Sequence, residues 1–134
     1  ELLEIPSYGK LKGGVIMNIT TSVLSDVRGF LNVGRTNTAF DDEIIPHIMA
    51  SIGKLSQNGV GKPTTIDDTT IWSDVIEQEM IVDPQVFSMF PLYVMLSTKL
   101  MFDPPPPSAV EYHKNNIDEI LWRLRTIYET REVN

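Results

Sequence analysis

With 134 residues, no cysteine and a net charge of −7, the chain has the length of one domain built on one core. The missing cysteines exclude disulfides, thiolate catalysis and Cys-ligated zinc or iron–sulfur sites. The acidic balance argues against a nucleic-acid binder that works by neutralising phosphates, which needs a basic face. The excess is local: residues 41–90 carry nine acidic and two basic groups, whereas residues 1–40 carry three and four.

The first residues, Glu1 to Pro6, lack the basic start and long apolar run of a signal peptide. Met17 reads as a natural start, which makes residues 1–16 an N-terminal arm or extension and residues 17–134 a single helical domain. Gly9, Gly13 and Gly14 disfavour a rigid helix in that arm. The first helix is expected from Ser22, as N-cap, to about Leu31, with Asn32 to Gly34 as its stop. Thr38 opens a Ser/Thr-x-x-acid start signal ending at Asp41. Phe40, Ile44, Ile48, Ile52 and Leu55 then recur at helical steps, with Pro46 expected to bend the helix near its start. Asn58 to Pro63 ends it.

Thr64 to Asp83 is the least regular stretch and is expected to be a loop with one short helical turn around Ile71 to Ile76. Asp83-Pro84 has the form of an N-cap followed by proline at the first helical position. Val86 to Phe102 is apolar on nearly all sides, as a central helix must be. Interrupted by Ser88, Pro91 and Lys99, it falls short of the roughly 20 residues that span a membrane. Pro104 to Pro107 forms a corner, and Ser108 to Glu111 has the form of a capping box. The last helix carries an apolar stripe of Ile117, Ile120, Leu121, Leu124, Ile127 and Tyr128, within about 120° of arc. The expected fold is thus all-α: a small bundle of four to five helices with a long central helix, a proline corner, an amphipathic C-terminal helix and extended terminal arms.

No catalytic constellation stands out. His47 and His113 lie far apart and lack a nucleophile-type neighbour. Asp41 to Glu43 suits the positive end of a helix, and Asp67-Asp68 suits a turn; neither alternates like a calcium loop. Gly59 to Lys62 fails as a phosphate loop, because Ser56 and Pro63 stand where Gly and Ser/Thr are needed. Asn18 to Thr20 matches a glycosylation sequon without a secretory context. The reading is a non-enzyme with no cofactor and no metal. Trp122 breaks the pattern of its helix. It lies opposite the apolar stripe, among Asn115, Asp118, Glu119, Thr126 and Glu129, and is either covered by the same chain or held for a partner. Trp72, in an irregular stretch, carries the same ambiguity. The candidate interface residues are Trp122, Trp72, Glu119, Thr126 and Tyr112, joined by Leu2, Leu3, Ile5 and Tyr8 of the N-terminal arm.

The segments Val27 to Leu31, Thr38 to Ile45, Leu55 to Gly61, Lys99 to Pro107 and Glu119 to Leu124 occur in an order and spacing that resembles the head–tail connector, or head-completion adaptor, proteins of tailed bacteriophages. The similarity runs from about Met17 to Tyr128. It implies a structural role at the portal–tail junction of the virion. The expected partners are the portal protein, a neck or tail-completion protein, and further copies in a ring, twelvefold to match the portal. Double-stranded DNA would pass through the channel without specific binding, which the acidic charge permits. Residues 1–16 and 129–134 are candidate contacts by the same analogy. The alternative is a small helical interaction or regulatory protein, a dimer included, that shares only the helical pattern.

Overall fold

The computed structural model describes the backbone of residues 7–10 and 16–132 and the side chains of residues 19–131. Within these residues the fold is a small all-α bundle. Six helices follow a short antiparallel pair, β1 (Ser7–Lys10) and β2 (Ile16–Asn18). Ser7 pairs with Asn18 and Tyr8 with Met17, with a register shift before Lys10 meets Ile16. This pair was not foreseen in the sequence.

Helix α1 (Val23–Phe30) is capped as expected: the Ser22 hydroxyl accepts from the Ser25 amide. Its end is a Schellman turn. The amides of Asn32 and Val33 donate to Gly29 and Arg28, and Asn32 takes a φ of 62°, a conformation Asn tolerates better than most residues. Helix α2 (Asp41–Gln57) continues through Pro46 and ends in a second Schellman turn, with Gly59 at a φ of 81° and Val60 buried behind it. Its start differs from the sequence expectation. Phe40 occupies the cap position and no side chain bonds there; Thr38 contributes only its carbonyl, to the Asp41 amide. The Asp41 carboxylate is engaged by Arg28 instead.

The irregular stretch holds two single-turn helices, α3 (Trp72–Val75) and α4 (Gln78–Ile81). Helix α5 (Pro84–Phe102) starts where Asp83-Pro84 placed it, with the Asp83 carboxylate accepting from the amides of Gln85 and Val86. It is the central element. Val86, Phe87, Phe90, Tyr93, Val94 and Met95 are buried, and helices α2, α4 and α6 pack around it. Gly61 lets a loop pass close to this core. A Cβ there would stand 2.6 Å from the Phe90 ring, and φ is 79°, so only glycine fits without strain.

Helix α6 (Pro107–Glu132) begins one residue before Ser108, with Pro107 at its first position, so Ser108 does not cap it. Proline suits that position because its missing amide would have no helical partner. The helix returns antiparallel along α5. Ile117, Leu124 and Tyr128 are buried, and Ile120, Leu121 and Ile127 are half-buried, so the apolar stripe faces the core. Its end is tied to the cap residues of α4 and α5: the Tyr128 hydroxyl donates to Glu77 at 2.7 Å and Arg131 to Asp83 at 2.6 Å.

Candidate functional site

The two tryptophans have opposite fates. Trp72 is fully buried, and its indole N–H donates to the Asp26 carboxylate at 2.9 Å. It is withdrawn as a candidate contact: its polar atom and its ring are both satisfied inside the chain. Asp26 also accepts from the Thr21 hydroxyl at 2.7 Å and pairs with Arg35. Beside it, Arg28 is 4% exposed. It grips Asp41 with two nitrogens, at 3.0 and 2.6 Å, and reaches Asp68 and the Arg35 carbonyl, each at 3.0 Å. Hydrogen bonding to Asp41 holds the Arg28 guanidinium above its ordinary value against the cost of burial. Asp67 folds back on its own turn; bonds from the hydroxyl and amide of Thr69 keep its carboxyl below the usual range. Of the carboxylates in the two acidic runs, Asp41 and Asp68 thus join α1, the start of α2 and the 65–70 loop through Arg28, and Asp67 closes its own turn.

Trp122 is 64% exposed and Tyr112 67% exposed. Tyr112, Glu119, Trp122 and Thr126 fall within roughly 80° of arc on the outer face of α6, so the helix presents them together. Each is braced locally. Glu119 pairs with Arg123 at 2.8 Å, the Thr126 hydroxyl donates to the Trp122 carbonyl at 3.0 Å, and the Tyr112 ring meets His113 edge-on. Trp122 also borders a shallow groove whose far wall is Gln85, Ser88 and Met89 of α5. Leu2, Leu3 and Ile5 lie outside the described residues, and only the backbone of Tyr8 is described.

Two further grooves flank the contact between α5 and α6, and sequence reasoning missed both. One, of about 430 Å³, lies between α2 and α6 over Tyr93, Leu100, Met101 and Ile117, with Lys54 on one rim and Lys114 on the other. The second, of about 540 Å³, lies beneath the proline corner, between Phe30, Leu96 and Leu100. One signal was available in the sequence. A helix apolar on nearly all sides from Val86 to Phe102 needs cover all round, and α6 covers the last turns of α5 only in part: Met101 stays 44% exposed. Burial raises the Tyr93 hydroxyl above its ordinary range, so it stays protonated at neutral pH. Among the described residues no group of three or more His, Asp or Glu is placed to hold a metal ion, and no helix is long and apolar enough to cross a membrane. The surface presents exposed aromatics on one helix face and apolar grooves beside it.

No curated protein and no solved structure matches the chain. The family model described as phage connector protein matches residues 23–131, from the first residue of α1 to the last turn of α6. A match over that much of the chain is decisive, and the protein belongs to the phage connector protein family.

Proposed function

We propose that this chain is a head–tail connector of the adaptor type, a structural component of the virion at the portal–tail junction. It docks on the portal after packaging, joins further copies in a ring that extends the DNA channel, and offers a platform to a neck or tail-completion protein. Family membership over residues 23–131 carries the reading. The physical features support it. Tyr112 and Trp122 stand exposed on one face of a rigid helix, as residues that anchor protein contacts do. A net charge of −7 lets DNA slide past without being gripped. The outer face of α6, with Tyr112, Glu119, Trp122 and Thr126, is assigned to partner contact.

The test is to mix the purified chain with portal rings and follow the mixture by size-exclusion chromatography with light scattering. The expected result is a ring-sized mass increment on the portal, reduced by Trp122→Ala while the variant's melting temperature stays near that of the parent. Absence of portal binding, or a stable dimer that excludes it, refutes the reading.

A further inference from the structure

Most cations among the described residues are already used. Arg28, Arg35, Lys99, Arg123, Arg125 and Arg131 each pair with a carboxylate of the same chain. Among the described residues, Lys54, Lys62 and Lys114 have no such pair, and two of these three face each other across one apolar groove. Two lysines on the rims of an apolar trough select an apolar side chain flanked by carboxylates. Asp118 also borders the groove, one turn from Lys114 and without an ion pair to it; it lowers the net positive charge there but leaves Lys54 unopposed.

The chain carries such a knob itself. Phe40 meets Phe102 of its own chain edge-on, ring centroids 5.7 Å apart, yet stays 42% exposed, and Asp42 and Glu43, which follow it, are exposed without ion pairs among the described residues. Of the large exposed apolar residues it is the aromatic followed directly by a run of carboxylates. Trp122, by comparison, has Glu119 and Arg123 neutralising each other beside it. Glu43 cannot pair with Lys54 of its own subunit, because the two lie eleven residues apart on one helix, roughly 16 Å along its axis, and the Phe40 ring is held against Phe102 at the end of α5.

We infer that the groove between α2 and α6 receives the Phe40–Glu43 turn of a second copy of this chain, with Phe40 on the apolar floor and the carboxylates of Asp42 and Glu43 on Lys54 and Lys114. Knob and groove are different surfaces, so the contact is head-to-tail and repeats from copy to copy, which closes a ring when the rotation allows. The inference rests on the ring reading above, to which it adds the contacting surfaces. A knob of this size supplies only part of a standard interface, so free copies associate weakly and associate more strongly when a scaffold holds them side by side.

The experiment uses the full chain, free and portal-bound. Equal parts of ¹⁴N- and ¹⁵N-labelled chain are coupled with a carbodiimide, which joins lysine amines to carboxylates in contact, and mixed-isotope cross-links are mapped by mass spectrometry. The expected links join Lys54 or Lys114 to Asp42 or Glu43. Lys54→Glu with Lys114→Glu is expected to weaken self-association roughly tenfold, as is Asp42→Lys with Glu43→Lys, and mixing or combining the two charge sets restores it. Circular dichroism and melting temperature report that these surface variants remain folded. Links to other carboxylates, unimpaired association of either variant, failure of the combination to restore it, or no intermolecular link at high protein concentration each overturn the inference. Portal binding is scored separately. A chain that binds portal as single copies keeps the connector reading and loses this one; links of the expected kind without portal binding do the reverse.

Discussion

Trp72 and Trp122 lie fifty residues apart and mark two regions built on different principles. Around Trp72 every polar group is answered from within: Asp26 serves Thr21, Arg35 and the indole, while Arg28 serves Asp41 and Asp68. Around Trp122 the ring stands in solvent, beside a pair of mutually neutralised charges and a shallow groove. The first region is closed and fixes the fold. The second is open and spends nothing on the fold. Two residues of one type are thus buried in one region and exposed in the other through their surroundings alone.

The sharpest way to break this comparison is at Asp26. Asp26→Ala leaves the buried indole N–H without its acceptor, at a cost of about 1–3 kcal/mol, and also removes the ion-pair partner of the partly exposed Arg35. Urea unfolding is expected to show that loss, while the fraction still folded binds portal as the parent does. Trp122→Ala is expected to do the opposite. Truncating an exposed side chain changes monomer stability by less than about 0.5 kcal/mol, whereas loss of a central aromatic anchor weakens portal-driven assembly by about 2 kcal/mol. A large fall in the melting temperature of the free variant would put Trp122 in the structural class and dissolve the contrast. Gly61→Ala tests the closed side by crowding: its Cβ meets the Phe90 ring, and overpacking of this kind costs about 1–3 kcal/mol, read as a lower urea midpoint.

The smallest effect concerns the tie between the end of α6 and Glu77. Burial first, and the neighbouring Glu77 carboxylate second, push the Tyr128 hydroxyl well above the ordinary tyrosine value of 10.0. The unfolded chain releases that proton near its ordinary value while the folded chain retains it. Stability is therefore full below about pH 10 and declines as pH rises above it. Tyr93, also raised by burial, adds to the decline. Tyr128→Phe is expected to lower stability at neutral pH by about 0.5–1.5 kcal/mol and to flatten the alkaline limb of a pH series of urea midpoints. An unchanged alkaline limb would rule out the proton at Tyr128 as a cause.

Signals that act over a few residues were legible. Ser22, Asp83-Pro84, the Asn58–Gly59 stop and the stripe of α6 all work through backbone neighbours within a turn or two, and the structure has them in place. Two start signals of the same local kind misled. At Thr38 the third-position acid is drawn away by Arg28, thirteen residues earlier. At Ser108 the preceding proline already satisfies the first turn. Trp72 was ambiguous for a related reason: its partner, Asp26, is 46 residues away, and no periodicity connects them. The lysine-rimmed groove was equally hidden, because its rims come from α2 and α6 and exist only once α5 has brought them together. The exposure of Trp122 was legible because it violates the pattern of its own helix.

Helix α6 buries no side chain between Pro107 and Asn116, yet it is not loose. Four consecutive prolines lead into it, and Tyr128 and Arg131 fasten its far end. A beam supported at both ends keeps the points along it at set intervals, and Tyr112 and Trp122 stand about 15 Å apart on this one. A partner that engages both rings meets a template whose spacing is already fixed, so the ordering that usually opposes association has been completed during folding.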